Sequence, residues 1–372
     1  MQKKLIALAI AAAFSAPAMA DVTMYGIVDA AVANLSGANL KSDTIAASGG
    51  LSGSRLGAKA AEDLDNGMKA VVVLEYALDT QQADGVGAAR QEMLAVAGGF
   101  GTVATGYLQT TGYDWAVKFD PTSGSTVSPL QNVTKGRFLV GTAAVAARAP
   151  RAIAYISPDM GGVTVAVNHS TSLVGATAAN LGNLATATNS ANVTTNATLL
   201  SATYTGVANL VVGGVYATTS GTNGTFAANT TDVALGASYD LGVVKLMGTY
   251  QTTKTSVANA QTDKALSFTA VAPVGPGAAV FTYAKNTIAS TAATADNGNG
   301  MTLAWLQGLS KTTTLYAAYS KMSQDSATNA YSVYGNALGG GSLAQGAAVA
   351  GNTALTNGGS STMIAVGLKK SF

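Results

Sequence analysis

Of the 372 residues in this chain only 10% are charged, 20 Lys and Arg against 18 Asp and Glu, and there is no cysteine. That balance leaves no basic footprint for a nucleic acid, and the missing thiols exclude disulfides and thiolate metal sites. Hydrophobic residues make up 48% of the chain, yet no apolar run beyond the first twenty residues is long enough for a transmembrane helix.

Residues 1–20 read as a secretory signal peptide. Lys3 and Lys4 form the basic start, Leu5 to Phe14 the apolar stretch, and Ala18-Met19-Ala20 the small-x-small end. Cleavage there begins the mature chain at Asp21 and removes two lysines, leaving 18 basic and 18 acidic groups.

The first strand, 22–33, puts Val22, Met24, Gly26, Val28, Ala30 and Val32 on one face and Asp29 on the other. The second, 52–61, sets Arg55 and Lys59 opposite Leu56, Ala58 and Ala60. Asp65-Asn66-Gly67 marks a tight turn. The third strand alternates most clearly: Met68, Ala70, Val72, Leu74, Tyr76 and Leu78 against Lys69 and Glu75. Charges on alternate positions of so apolar a run are tolerable if their face meets water. Asp29, Lys69 and Glu75 are therefore expected to face an aqueous interior.

Further on, the connections fall into two length classes. Seven short turns (62–67, 98–101, 157–162, 205–209, 239–242, 272–277, 308–311) alternate with eight long loops (34–51, 80–89, 110–147, 171–197, 219–231, 253–263, 287–299, 324–360). They join sixteen strands, with both ends of the chain on the short-turn side. The final strand, 361–372, carries Ile364, Val366, Leu368 and Phe372 on one face and Met363, Ala365, Gly367 and Lys369 on the other. Its edge requires a partner, which the first strand of a closed barrel supplies. Short turns at one end, long loops at the other and an even strand number predict an all-β fold, a 16-stranded antiparallel transmembrane β-barrel. Tyr76, Tyr155, Tyr204, Tyr216, Tyr239, Tyr250 and Tyr283 are expected toward strand ends, at the lipid–water interfaces.

Val22-Thr23-Met24-Tyr25-Gly26-Ile27-Val28-Asp29-Ala30 resembles the opening strand of the general diffusion porins of β-proteobacteria, the neisserial type. So do Gly53-Ser54-Arg55-Leu56-Gly57, the run from Gly98 to Gly106, Tyr113-Asp114 with Asp120-Pro121, and the end Gly367-Leu368-Lys369-Lys370-Ser371-Phe372. The resemblance spans 21–372 as one barrel domain. It implies a homotrimer whose third loop, here about 110–147, folds inward to narrow the pore. It also implies acids on that loop, Asp114 and Asp120, facing a basic wall. Arg55 leads the basic candidates and Lys59 follows. The family often has Gly-Arg where this chain has Gly106-Tyr107, and Arg-Tyr where it has Ala154-Tyr155. Arg148 and Arg151, close by but displaced, are the residues that would compensate; without them the wall is thinner than usual.

The expected function is passive diffusion of small hydrophilic solutes and ions across a Gram-negative outer membrane. The expected surroundings are the lipid bilayer and lipopolysaccharide, with no cofactor, no metal and no catalysis. The one histidine, His169, sits beside a long loop, a poor setting for a general base. A substrate-specific channel and a non-conducting structural or adhesive barrel remain alternatives.

Overall fold

The computed structural model describes residues 21–37, 40–81, 85–122, 124–135, 137–171, 173, 195–221, 229–256, 260–289, 297–325 and 359–372. The expected signal peptide lies outside them, as do parts of all eight long loops. The strands are β1 (Asp21–Gly37), β2 (Leu40–Ser48), β3 (Arg55–Asp63), β4 (Lys69–Leu78), β5 (Val86–Gly98), β6 (Gly101–Gln109), β7 (Arg148–Ile156), β8 (Val163–Ser170) and β9 (Thr195–Tyr204). They continue with β10 (Leu210–Gly221), β11 (Thr230–Asp240), β12 (Lys245–Thr255), β13 (Asp263–Val274), β14 (Gly277–Thr287), β15 (Gly298–Gly308), β16 (Thr313–Gln324) and β17 (Ser360–Ser371). Between β6 and β7 lie two helices, α1 (Thr111–Phe119) and α2 (Pro129–Thr134).

Each strand from β3 to β17 pairs antiparallel with the next, and β1 pairs with β17 from Ile27↔Ser371 to Gly37↔Ser361, which closes the barrel. The seventeen strands make sixteen staves. The upper half of β1 pairs with β17 on one edge and β2 on the other, and its lower half, Asp21 to Ile27, pairs with β3. Ile27 faces both Ser371 and Arg55, so β3 lies on the same edge of β1 as β2. β2 and β3 are thus two pieces of one stave, interrupted at 49–54. Much of the first long loop expected at 34–51 is therefore wall.

The alternation places side chains as lipid and water require. Val22, Met24, Val32, Leu200, Leu235, Leu303, Ile364 and Val366 are exposed on the outside. The inside is small and hydroxylic: Thr249 pairs with Ser267 at 2.6 Å, Thr269 donates to Thr282 at 3.1 Å and Thr302 to Ser320 at 3.0 Å. Tyr155, Tyr204 and Tyr239 stand at the short-turn ends of their strands, Tyr155 donating to Phe100 O at 2.8 Å. Tyr216 and Tyr250 sit near the middle of β10 and β12 instead.

The third long loop packs against the hydroxylic face. α1 lies against β8 to β12 and α2 against β13 to β16. Both helices are capped from within the loop: Thr110 Oγ1 accepts from Tyr113 N, and Ser128 Oγ from Gln131 N, with Pro129 at the first helical position. Trp115 and Phe119 anchor α1. The Trp115 indole donates to Gly213 O at 3.1 Å, and its ring tilts against Phe119 with centroids 5.5 Å apart. Phe119 fills a hollow that exists because position 236 has no side chain: a Cβ there would lie 2.4 Å from the ring. Farther along, Leu139 N donates to Asp232, Arg137 Nε to Asp263 at 2.6 Å, and Asn286 to Val133 O at 2.8 Å.

Candidate functional site

Where the third loop leaves the wall, two guanidiniums share one carboxylate and a third stands beside them. Arg55 begins β3 just after the stave break. Its Nε donates to Gly53 O at 3.1 Å, its Nη2 to Ser52 Oγ at 2.8 Å, and its Nη1 lies 3.8 Å from Glu75. Glu75, on the interior face of β4, also accepts from Arg90 Nε at 2.7 Å and from the Tyr25 hydroxyl at 3.1 Å. Arg148, the first residue of β7, donates to Arg90 O at 2.7 Å and lies over the Tyr113 ring of α1 at 4.8 Å. Arg55, Arg90 and Glu75 keep 17%, 12% and 13% of their side-chain surface exposed, so their charges reach water and are not sealed in the wall. Three arginines and one glutamate leave a net charge of +2 here.

The bend of the strands builds this cluster. In the β4–β5 ladder Glu75 pairs with Gln91 but Tyr76 with Ala89, so Arg90 is an extra residue bulged out of register. By strict alternation Arg90 would share the outward side of Leu94 and Glu92, and the bulge turns it inward to Glu75. Alternation alone therefore missed it; a lone arginine at the edge of the loop expected over 80–89 was the one available signal.

The other charges expected at the site are spread more widely. Lys59 shares the interior face with Arg55, half-buried and nearer the short turns. Lys69 is paired with Asp63 at the short-turn end, away from the arginines. Asp29 points inward but has no exposed surface, so it does not meet an ion path. Arg151 departs most from expectation. It sits in a bulge where Gly106 pairs with Ala152 and Leu108 with Ala149, at φ 49°. It is exposed on the parity of Ile153 and Tyr155, the outward face. Asp120 is also corrected, being 1% exposed. Its carboxylate accepts from Thr122 N at 2.8 Å, Thr122 Oγ1 at 2.7 Å and Ser128 Oγ. It ties the loop together internally.

Asp114 is half-buried on α1 and accepts from Gln109 Nε2 at 2.6 Å. Burial pushes its carboxyl up to about 6, against the opposing pull of Gln109, Lys118 and Arg148. Burial would also raise Tyr113, but Arg148, Arg90 and Arg55 outweigh it and hold that hydroxyl below its usual range. The phenol thus registers the positive field of the cluster. On the same loop, burial lowers Lys135 to about 8.

These values set a pH dependence. The bound-proton preference of Asp114 is raised in the folded chain. Its seat in the loop is therefore most stable below its unfolded pKa and loses that stability as pH rises through about 6. Acidification from pH 7 to 5 removes one negative charge beside Arg148 while Lys135 stays protonated. Anion preference, read as reversal potential in a salt gradient, should rise over that window, and D114N should abolish the change. A D114N channel that keeps the full pH response would assign it to another group.

A model of the Gram-negative porin family matches residues 7–327. Outer membrane porin protein 32 of Delftia acidovorans is 31% identical over 329 residues, covering 85% of this chain and 88% of that protein. Major outer membrane protein P.IB of Neisseria gonorrhoeae is 37% identical over 116 residues, 30% of this chain and 33% of that one. Among solved structures, an anion-selective porin from Comamonas acidovorans superposes with a TM-score of 0.73 at 24% identity, over 95% of this chain and 100% of that one.

Proposed function

The chain belongs to the Gram-negative porin family, and from that premise we propose that the cluster of Arg55, Arg90, Arg148 and Glu75 is where the pore selects its ions, favouring anions. The protein is a passive diffusion channel of the outer membrane. Sixteen staves are too many for side chains to fill, so small hydrophilic solutes and ions move down their gradients through the remaining bore. The third loop narrows that bore from inside, and the arginines bias it. Charges on low-dielectric walls act strongly on a passing ion, because field lines crowd into the water-filled gap.

One observation carries the anion preference: Arg55 and Arg90 share one carboxylate, Glu75, and Arg148 stands beside them on Arg90 O and the Tyr113 ring, so the arginines outnumber the acids placed with them. Asp120 is spent on Thr122 and Ser128, and Asp114, tied to Gln109, is the single loop acid left beside Arg148. The anion selectivity of the Comamonas porin agrees with this reading. Residues 1–20 direct export, and three copies assemble in the bilayer, as the resemblance of the opening strand and third-loop motifs to trimeric porins implies.

The test is single-channel conductance of detergent-purified protein in a planar bilayer, followed by reversal potential in a salt gradient. Large, linear, long-lived steps with an anion-favouring potential are expected. A potential of the opposite sign overturns the role given to the arginines. Silence from folded, inserted protein overturns the open bore.

A further inference from the structure

We propose that Asp29 and Tyr316 form a latch across the closing seam of the barrel that positions Arg55, and through Arg55 sets the ion preference. The inference rests on the arginine cluster being the selective point.

The latch begins with a gap. Between β3, which pairs up to Ile27, and β2, which pairs from Ala30, β1 has no ladder partner for Val28 and Asp29 on that edge. Unpaired buried peptide groups are costly, and here side chains supply the missing bonds. Asp29 N donates to Ser54 Oγ at 3.0 Å, and Ser54 Oγ donates back to Asp29 O at 3.1 Å. Gly49 N donates to the same carbonyl.

The Asp29 carboxylate then fixes the interrupting segment itself. Its Oδ2 accepts from Leu51 N at 3.1 Å and Ser52 N at 2.7 Å, and its Oδ1 accepts from the Tyr316 hydroxyl at 2.6 Å. Lys369 of β17 stands opposite Asp29 in the ladder, an opposite charge on the same face. Tyr316 belongs to β16, two staves away across the seam. It reaches Asp29 through two positions that have no side chain. A Cβ at Gly50 would lie 2.1 Å from its hydroxyl, and one at Gly367 would lie 2.3 Å from it.

The segment held in this way is the one that holds Arg55. Ser52 Oγ and Gly53 O take two of its three guanidinium nitrogens. Only Nη1 is left to face Glu75. A buried carboxylate is an expensive way to fill a wall, and a hydrophobic residue would do so at less cost. Its acceptors are instead spent on the peptide that leads directly to the selective arginine. Charge-assisted hydrogen bonds are short and directional, so the link transmits position from β16 to the cluster.

The experiment compares Y316F, S52A, R55A and the double variants Y316F/R55A and S52A/R55A, each refolded and inserted in planar bilayers, with zero-current potential in a salt gradient as the readout. Y316F and S52A should move the potential in the direction of R55A but by less, and neither should move it further once R55A is present. S52A removes only the hydroxyl that Arg55 binds and tests the last link of the chain, and D29N, which takes an acceptor and the charge from the seam, takes the place of Y316F if that variant does not fold. Wild-type potentials in folded S52A and Y316F beside a shifted R55A overturn the latch. Shifts that add to that of R55A also overturn it, because the latch would then act elsewhere. An R55A channel with the wild-type potential overturns the constriction reading and the latch with it.

Discussion

Replacing Arg90 with glutamate should abolish the anion preference of the pore. The wild-type cluster holds three arginines and one glutamate, a net +2, and the substitution takes it to zero. It also places a second carboxylate beside Glu75, which in the native site accepts from Arg90 at 2.7 Å. The two acids repel, and the new side chain turns toward water. A unit charge about 5 Å from the ion path is worth about 1–3 kcal/mol at effective dielectrics between about 80 and 20, so reversing one should change the permeability ratio by about tenfold or more. Reversal potential in a potassium chloride gradient reads this directly. R90K separates charge from geometry, since lysine keeps the charge without the planar fork, and its shift should be small. If R90E keeps the native reversal potential, Arg90 is not at the selective point.

Trp115→Ala should widen the pore without unfolding the barrel. The indole is 2% exposed and bonded to Gly213 O. Truncating a buried tryptophan typically costs about 3–5 kcal/mol. None of that loss falls on the ladders, because α1 is not part of the wall. The seat of the third loop bears it. Current steps should become larger and noisier, and uncharged sugars that the native channel excludes should pass in a liposome-swelling assay. Gly236→Ala approaches the same outcome from the other side. Its new Cβ would meet the Phe119 ring at 2.4 Å, so the loop is displaced by overfilling where the tryptophan variant leaves a void. A folded W115A barrel with native conductance and native size limit would show that α1 does not restrict the bore.

The barrel itself was readable because lipid outside and water inside impose a period of two on every stave. Arg55, Glu75 and Asp29 were placed on the interior face by that rule, and the alternation of short and long connections gave the strand number. What escaped is where the period breaks. Arg90 lies on a bulge that exchanges inside for outside over one residue, and Arg151 lies on another, at positive φ, that leaves it facing out. The stave break at 49–54 escaped because Leu40–Ser48 is short, polar and small, with nothing to distinguish wall from loop. Asp120 was misplaced for a different reason. Its partners, Thr122 and Ser128, are local, but the fold decides whether a loop carboxylate turns to them or to the lumen. The bond between Asp29 and Tyr316 joins residues 287 positions apart, and no local pattern encodes it.

That long separation carries a consequence for assembly. The hydroxyl of Tyr316 cannot reach Asp29 until β17 has docked on β1, and contacts between distant chain segments form late because loop closure must be met first. The seating of Arg55 is therefore completed by the same event that seals the cylinder. Closing the wall and setting one arginine of the selective cluster are then a single step.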